Sequence, residues 1–101
     1  MLSSILEPLP GIHVIQATSM SDNRGSFVKT YEKDIYTSLG IDFNPVEEFY
    51  SSSHKNVIRG IHFQIPPRAH DKLVYCIKGR VLDVMIDLRK KSSTFGQVYS
   101  H

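Results

Sequence analysis

At 101 residues with 41% hydrophobic side chains, the chain has the composition of one small globular domain, residues 1–101, with no second core. Its 12 basic and 10 acidic residues, a formal net charge of +2, are spread along the sequence and leave no basic block for a nucleic-acid backbone. No apolar run approaches the about 18 residues that a membrane-spanning helix needs, no signal-like start is present, and the single cysteine, Cys76, sits among Val74, Tyr75 and Ile77 as a buried, inert thiol would. These features predict a cytoplasmic protein that binds neither nucleic acid nor membrane.

Taken in chain order, "GIHVIQAT" (11–18) and "SFVKTY" (26–31) read as strands, separated by the turn chemistry of "SDNRGS". "EKDIYTSLG" (32–40) reads as a short helix, with Ile35 and Leu39 four apart and Gly40 suited to the left-handed position just past its end. After the break at "FNP" come "NVIRGIHFQ" (56–64), a stop at the diproline of "IPP", "KLVYCIKG" (72–79) and "RVLDVMIDLR" (80–89). The last two are expected to form a tight hairpin at Gly79. Alternation in the final strand puts Leu82, Val84, Ile86 and Leu88 on one face, expected to be buried, and Asp83, Met85, Asp87 and Arg89 on the other. "FGQVYSH" reads as the entry into one more strand. Several short antiparallel strands fit a barrel or sandwich, and the apolar faces of 72–89 call for a covering sheet. A truncated roll, or a half-roll completed by a second chain, is the expectation.

The stretch "RGIHFQIPPRAHDKLVYCIKG" carries the chemistry. His62 and Gln64 share a face of one strand, and the next strand returns Lys72 alongside. A histidine that titrates near neutrality and a fixed lysine cation are the two parts needed to remove a proton beside a carbonyl and hold the enolate oxygen. A hydrogen-bonded core histidine and a solvated lysine would give the same pattern, and spacing alone does not separate the two readings. Arg59 falls on the opposite face from His62 by strict alternation, with Gly60 between them to re-aim the chain.

"DNRGSFVKTY" followed by "NVIRGIHFQIPPRAHDKLVYCIKGRVLDVMIDLRKKSSTFGQ" resembles the dTDP-4-dehydrorhamnose 3,5-epimerase family of nucleotide-sugar enzymes over most of the chain from about Asp22 onward. The resemblance implies a mainly β, antiparallel, cupin-type jelly roll, here incomplete at its C-terminal end. It also implies an isomerase that works by proton abstraction and return α to the C4 keto group of a dTDP-4-keto-6-deoxy sugar. In these terms His62 is the base, Lys72 stabilises the enolate oxygen, and Arg59 contacts the pyrophosphate, for which its planar fork is suited. Arg24 and Phe27 match the segment that the family inserts into the neighbouring subunit's nucleotide site, which implies a homodimer with strand exchange. Gln64 is a further substrate contact, and no cofactor is needed.

The sequence also departs from the family. Lys29 stands where many members have an acidic residue, and "EEFYSSS" places Phe49 and Tyr50 in a segment that is more polar elsewhere. The family's acid tyrosine and the aspartate that orients the histidine have no counterpart in these 101 residues, since Tyr31, Tyr36, Tyr50, Tyr75 and Tyr99 are off the motif position. Asp83 is a substitute candidate for orienting His62. A 3-epimerase, a 3,4-ketoisomerase and a non-catalytic sugar-nucleotide-binding module stay open beside the 3,5-epimerase. A metal site is not expected: residue 64 is Gln where many cupins have a His-x-His pair, and the diproline separates His62 from His70.

Overall fold

The computed structural model describes residues 2–101 as three separate antiparallel strand pairs and one short helix. The first pair joins β1 (Leu2–Leu6) to β2 (Val14–Ala17), with Leu2 opposite Ala17, Leu6 opposite Val14 and a shift of register between Ser4 and Leu6. Strand β1 was not foreseen, because five residues with two serines carry little strand signal. The chain reverses through Pro8 to Gly11, where the Ile12 N–H donates to the Leu9 carbonyl at 2.9 Å and the Gly11 N–H to the Glu7 carboxylate at 2.9 Å. Leu2 of β1 and Leu9 within the turn are buried.

The second pair is a hairpin of β3 (Ser19–Asp22) and β4 (Gly25–Val28) closed by Asn23 and Arg24. Every residue of both strands is exposed, including the directly opposed pair Met20 and Phe27. Cross-strand pairs of this kind normally gain their energy by burial on one face, so this hairpin projects from the fold with an apolar pair uncovered.

Helix α1 (Lys33–Ser38) ends as its sequence predicts. Gly40 takes φ +77°, its N–H donates to the Thr37 carbonyl at 3.0 Å, and the Ile41 N–H donates to the Tyr36 carbonyl at 2.9 Å, the two bonds of a Schellman stop. The helix holds the small core. Tyr36 is 2% exposed, its hydroxyl donates to the Thr30 carbonyl at 2.8 Å, and its ring meets Tyr31 edge-on with centroids 4.9 Å apart. Tyr31 also meets Phe43 edge-on at 5.7 Å and donates to the Phe43 carbonyl. Burial of the ring pushes the Tyr36 phenol pKa up.

The third pair, β5 (Val84–Ile86) and β6 (Val98–Ser100), confirms the strand entered at "FGQVYSH" and corrects the pairing expected of 80–89. The 80–89 segment does not form a hairpin with 72–79. It pairs with the chain's last residues, Val84 opposite Ser100 and Ile86 opposite Val98, and the ladder extends through Asp83 and His101. Residues 77–79 make only a bend, with Gly79 at φ +88°.

The expected strands at 56–64 and 72–79 are likewise not hydrogen-bonded strands in the described chain. A ladder requires a partner edge, and a segment without one keeps its β-forming composition but leaves its N–H and C=O groups to water. The side chains follow: Ile58 and Ile77 are 93% and 83% exposed. Cys76, expected to be buried, is exposed as well, and its thiol donates to the Lys78 carbonyl at 3.3 Å. The radius of gyration is 15.3 Å, against about 13 Å for a compact domain of 100 residues. The accessible area is 9261 Å², against about 5,800 Å² for a compact 11.5 kDa monomer. No helix among the described residues is long and apolar enough to cross a membrane.

Candidate functional site

Arg24 and Phe27 lie on the projecting hairpin. Asp22 precedes the turn, and its carboxylate accepts the Arg24 backbone N–H at 2.8 Å, as Asp commonly does two residues ahead of a turn position. The same carboxylate holds the guanidinium in a fork, from Nε at 3.1 and 3.2 Å and from Nη2 at 2.6 Å. The Arg24 side chain, and then its backbone N–H, keep the Asp22 carboxyl below its usual range, and Asp22 in turn raises Arg24. Phe27 is exposed, and a shallow open depression lined by Met20, Asp22, Arg24 and Phe27 runs along the hairpin. An exposed guanidinium and an exposed aromatic ring at the tip of a two-stranded projection can supply charge and a stacking face to a nucleotide carried by another body.

Arg59 lies in the extended middle segment and is anchored within its own chain. Its Nε donates to the Ser53 hydroxyl at 2.9 Å and its Nη2 to the Ser52 carbonyl at 3.2 Å, so "SSS" and "RG" run beside one another. The alternation expected across "RGIH" is broken at Gly60, which takes φ +97°. This is the left-handed region that favours glycine, and the space is also tight. A Cβ at residue 60 would lie 3.3 Å from the His62 backbone nitrogen and 3.6 Å from its Nδ1. Glycine here therefore lets the chain fold back so that the His62 ring sits against the turn. The Gly60–Ile61 and Pro66–Pro67 peptide bonds are cis.

His62, Gln64 and Lys72 are exposed. Among the described residues, no side-chain hydrogen bond or ion pair joins any two of Arg24, Phe27, Arg59, His62, Gln64 and Lys72. Nor does one join Asp83, half-buried on the way into β5, to His62. No three His, Cys, Asp or Glu side chains among the described residues are grouped to hold a metal ion.

The polar cluster that the structure does build was missed in the sequence. Asp87, placed by alternation on the exposed face, is the buried charged residue among those described. The face of β5 assigned to the core is largely open: Leu82, Val84 and Leu88 are exposed and Ile86 is half-buried, as are Asp83 and Met85 on the opposite face. Asp87 is covered because its carboxylate is fully employed. It accepts from Arg89 N, Nε and Nη2, from Ser92 Oγ at 2.6 Å and from Thr94 Oγ1 at 2.6 Å. Led by the Arg89 guanidinium, these donors drive its pKa far below the carboxylate range. Arg89 Nη2 also donates to the Pro10 carbonyl at 2.7 Å, which ties the β5–β6 loop to the β1–β2 turn. The spacing "DxRxxSxT" was the available signal, and it marks a structural clip.

Paired antiparallel strands, extended apolar segments without partners and one short helix define this chain as part of a cupin-type jelly roll. The sequence profile of dTDP-4-dehydrorhamnose 3,5-epimerase matches residues 7–101, and the chain belongs to that family. A curated relative, dTDP-4-dehydrorhamnose 3,5-epimerase of Salmonella typhimurium, is 39% identical over 98 residues, covering 96% of this chain and 54% of the relative. Among solved structures, dTDP-4-dehydrorhamnose 3,5-epimerase from Bacillus anthracis, crystallised with TDP and PPi bound, superposes with a TM-score of 0.93 at 32% identity. That match covers 100% of this chain and 58% of the other. The enzyme of the same name from Elizabethkingia anophelis gives a TM-score of 0.86 at 36% identity, covering 99% and 55%. The chain thus spans about half the length of the relatives it matches. The superposition includes the segments that lack ladders here, so the 44–82 backbone follows a course taken in the solved epimerases.

Proposed function

We propose that this chain supplies the proton-abstracting half of a nucleotide-sugar epimerase. His62 removes the proton from a carbon next to the C4 keto group of a dTDP-4-keto-6-deoxy sugar. The C–H electron pair moves to form the enolate, whose oxygen is stabilised by the Lys72 ammonium, and a proton delivered to the opposite face from a donor that exchanges with solvent inverts the carbon. Arg59 takes the pyrophosphate, and Gln64 is a further substrate contact. Arg24 and Phe27 serve the nucleotide of a second copy across a homodimer in the cytoplasm. Residues 1–101 form one cupin-type domain together with polypeptide outside them, and the chemistry draws on no metal or redox cofactor.

The observation that carries this reading is the superposition of this whole chain on 58% of an epimerase solved with TDP and PPi bound, in a chain that retains "RGIHFQ" and "DKLV" in order. The projecting hairpin with its exposed Arg24 and Phe27 supports the exchange between subunits. Incubation of the full-length protein with a dTDP-4-keto-6-deoxy sugar in deuterated water tests it. Deuterium entering at C3 and C5 is the expected result, deuterium at C3 alone would make the protein a 3-epimerase, and no incorporation would leave a binding module.

A further inference from the structure

The geometry around Arg59 points to Ser53 as a positioning residue for phosphate recognition, and we propose that it fixes the Arg59 guanidinium before substrate arrives. This rests on the reading of Arg59 as the pyrophosphate contact. The two candidate substrate-binding arginines are held in different ways. Arg24 is gripped by the Asp22 carboxylate through Nε and Nη2, so an opposing charge lies at 2.6 Å and competes with any incoming anion. Arg59 is held through the same two nitrogens, but by neutral acceptors, the Ser53 hydroxyl at 2.9 Å and the Ser52 carbonyl at 3.2 Å. The tether therefore orients the fork without offsetting its charge. A guanidinium has five N–H donors, and this arrangement commits one on Nε and one on Nη2, leaving three for an anion.

A long exposed side chain otherwise loses rotamer freedom when it binds, at a cost that weakens binding. Holding it in advance moves that cost from binding to folding. Ser53 reaches Arg59 across a separation of six residues, with the turn at Lys55 and Asn56 between them, the latter at φ +67°. Ser53 is exposed, so its hydroxyl fills no place in the core and can be removed without opening a cavity.

The experiment measures dTDP dissociation constants by calorimetry and steady-state kcat and KM in the full-length protein and in Ser53→Ala, Ser53→Thr and Arg59→Ala. Ser53→Ala should weaken dTDP binding and raise KM about 3- to 10-fold, the worth of one neutral hydrogen bond, with kcat unchanged. Ser53→Thr, which keeps the hydroxyl, should restore both. Arg59→Ala should lose tenfold or more in binding. Wild-type binding by Ser53→Ala beside a strong loss in Arg59→Ala would overturn the tether alone. A fall in kcat without a change in KM would overturn it too. Wild-type binding by Arg59→Ala would overturn the phosphate role of Arg59 itself.

Discussion

Replacing Ile58 by Lys probes the feature that most sets this chain apart from a finished domain, its uncovered apolar surface. Ile58 is 93% exposed among the described residues, two positions before the Gly60 turn. The chain presents 9261 Å², some 3,500 Å² more than the about 5,800 Å² of a compact protein of its mass. A standard protein interface buries only about 800 Å² on each partner, so the excess is of the size that obligate contacts cover. If Ile58 lies under such a cover in the intact protein, its burial stabilises by about 1.5–3 kcal/mol, and Ile58→Lys removes that and adds the cost of a buried cation. Cover from the same polypeptide lowers the unfolding free energy by at least this amount. Cover from a second copy through a two-fold interface counts the loss twice, raising the dissociation constant by about 10²- to 10⁴-fold. Sedimentation at low micromolar concentration, paired with denaturant unfolding, separates the two. Wild-type sedimentation and wild-type unfolding in Ile58→Lys would refute the reasoning, since Ile58 would then face water in the working protein.

Three further outcomes follow from individual sites. The Asp87 carboxyl is held far below its unfolded value, so its contribution to stability is complete above the ordinary aspartate pKa and declines as pH falls from about 5. Asp87→Asn should therefore be less stable than wild type at pH 7 and show a flatter loss on acidification, read from urea midpoints across pH 3 to 7. Gly40→Ala meets no atom within 4 Å but must hold φ +77°, so it should cost about 1–2 kcal/mol from backbone strain alone, measurable as a lowered unfolding free energy. Lys72→Met should reduce kcat by the equivalent of about 3 kcal/mol while dTDP binding stays near wild type, and the opposite split would make Lys72 a phosphate contact.

What the sequence disclosed depended on the range of the interaction. The helix stop at Gly40 and the re-aiming at Gly60 were readable because both are local consequences of glycine and its neighbours. The hairpin turn between β3 and β4 was visible in "SDNRGS", although the strand before it was not. Strand composition at 56–64 and 72–79 was real, but whether such segments form ladders depends on edges that no local pattern specifies. Alternation misplaced Asp87 because hydrophobicity favoured the Leu82, Val84, Ile86 and Leu88 face, of which Ile86 alone is half-buried. Burial of Asp87 depends instead on hydroxyls five and seven residues away and on a guanidinium anchored to Pro10. Of the six site residues, the sequence supplied identities. The structure adds that Arg24 and Arg59 are tethered and that the His62 ring packs against Gly60.

The proposed proton-transfer role of His62 is tested most directly by solvent deuterium exchange into a dTDP-4-keto-6-deoxy sugar, followed by NMR or mass spectrometry in the full-length protein and in His62→Ala. Loss of exchange at the carbons beside the keto group, with dTDP affinity close to wild type, is the predicted result. Exchange that continues at the wild-type rate in His62→Ala would contradict it, because the base would then have to be another residue.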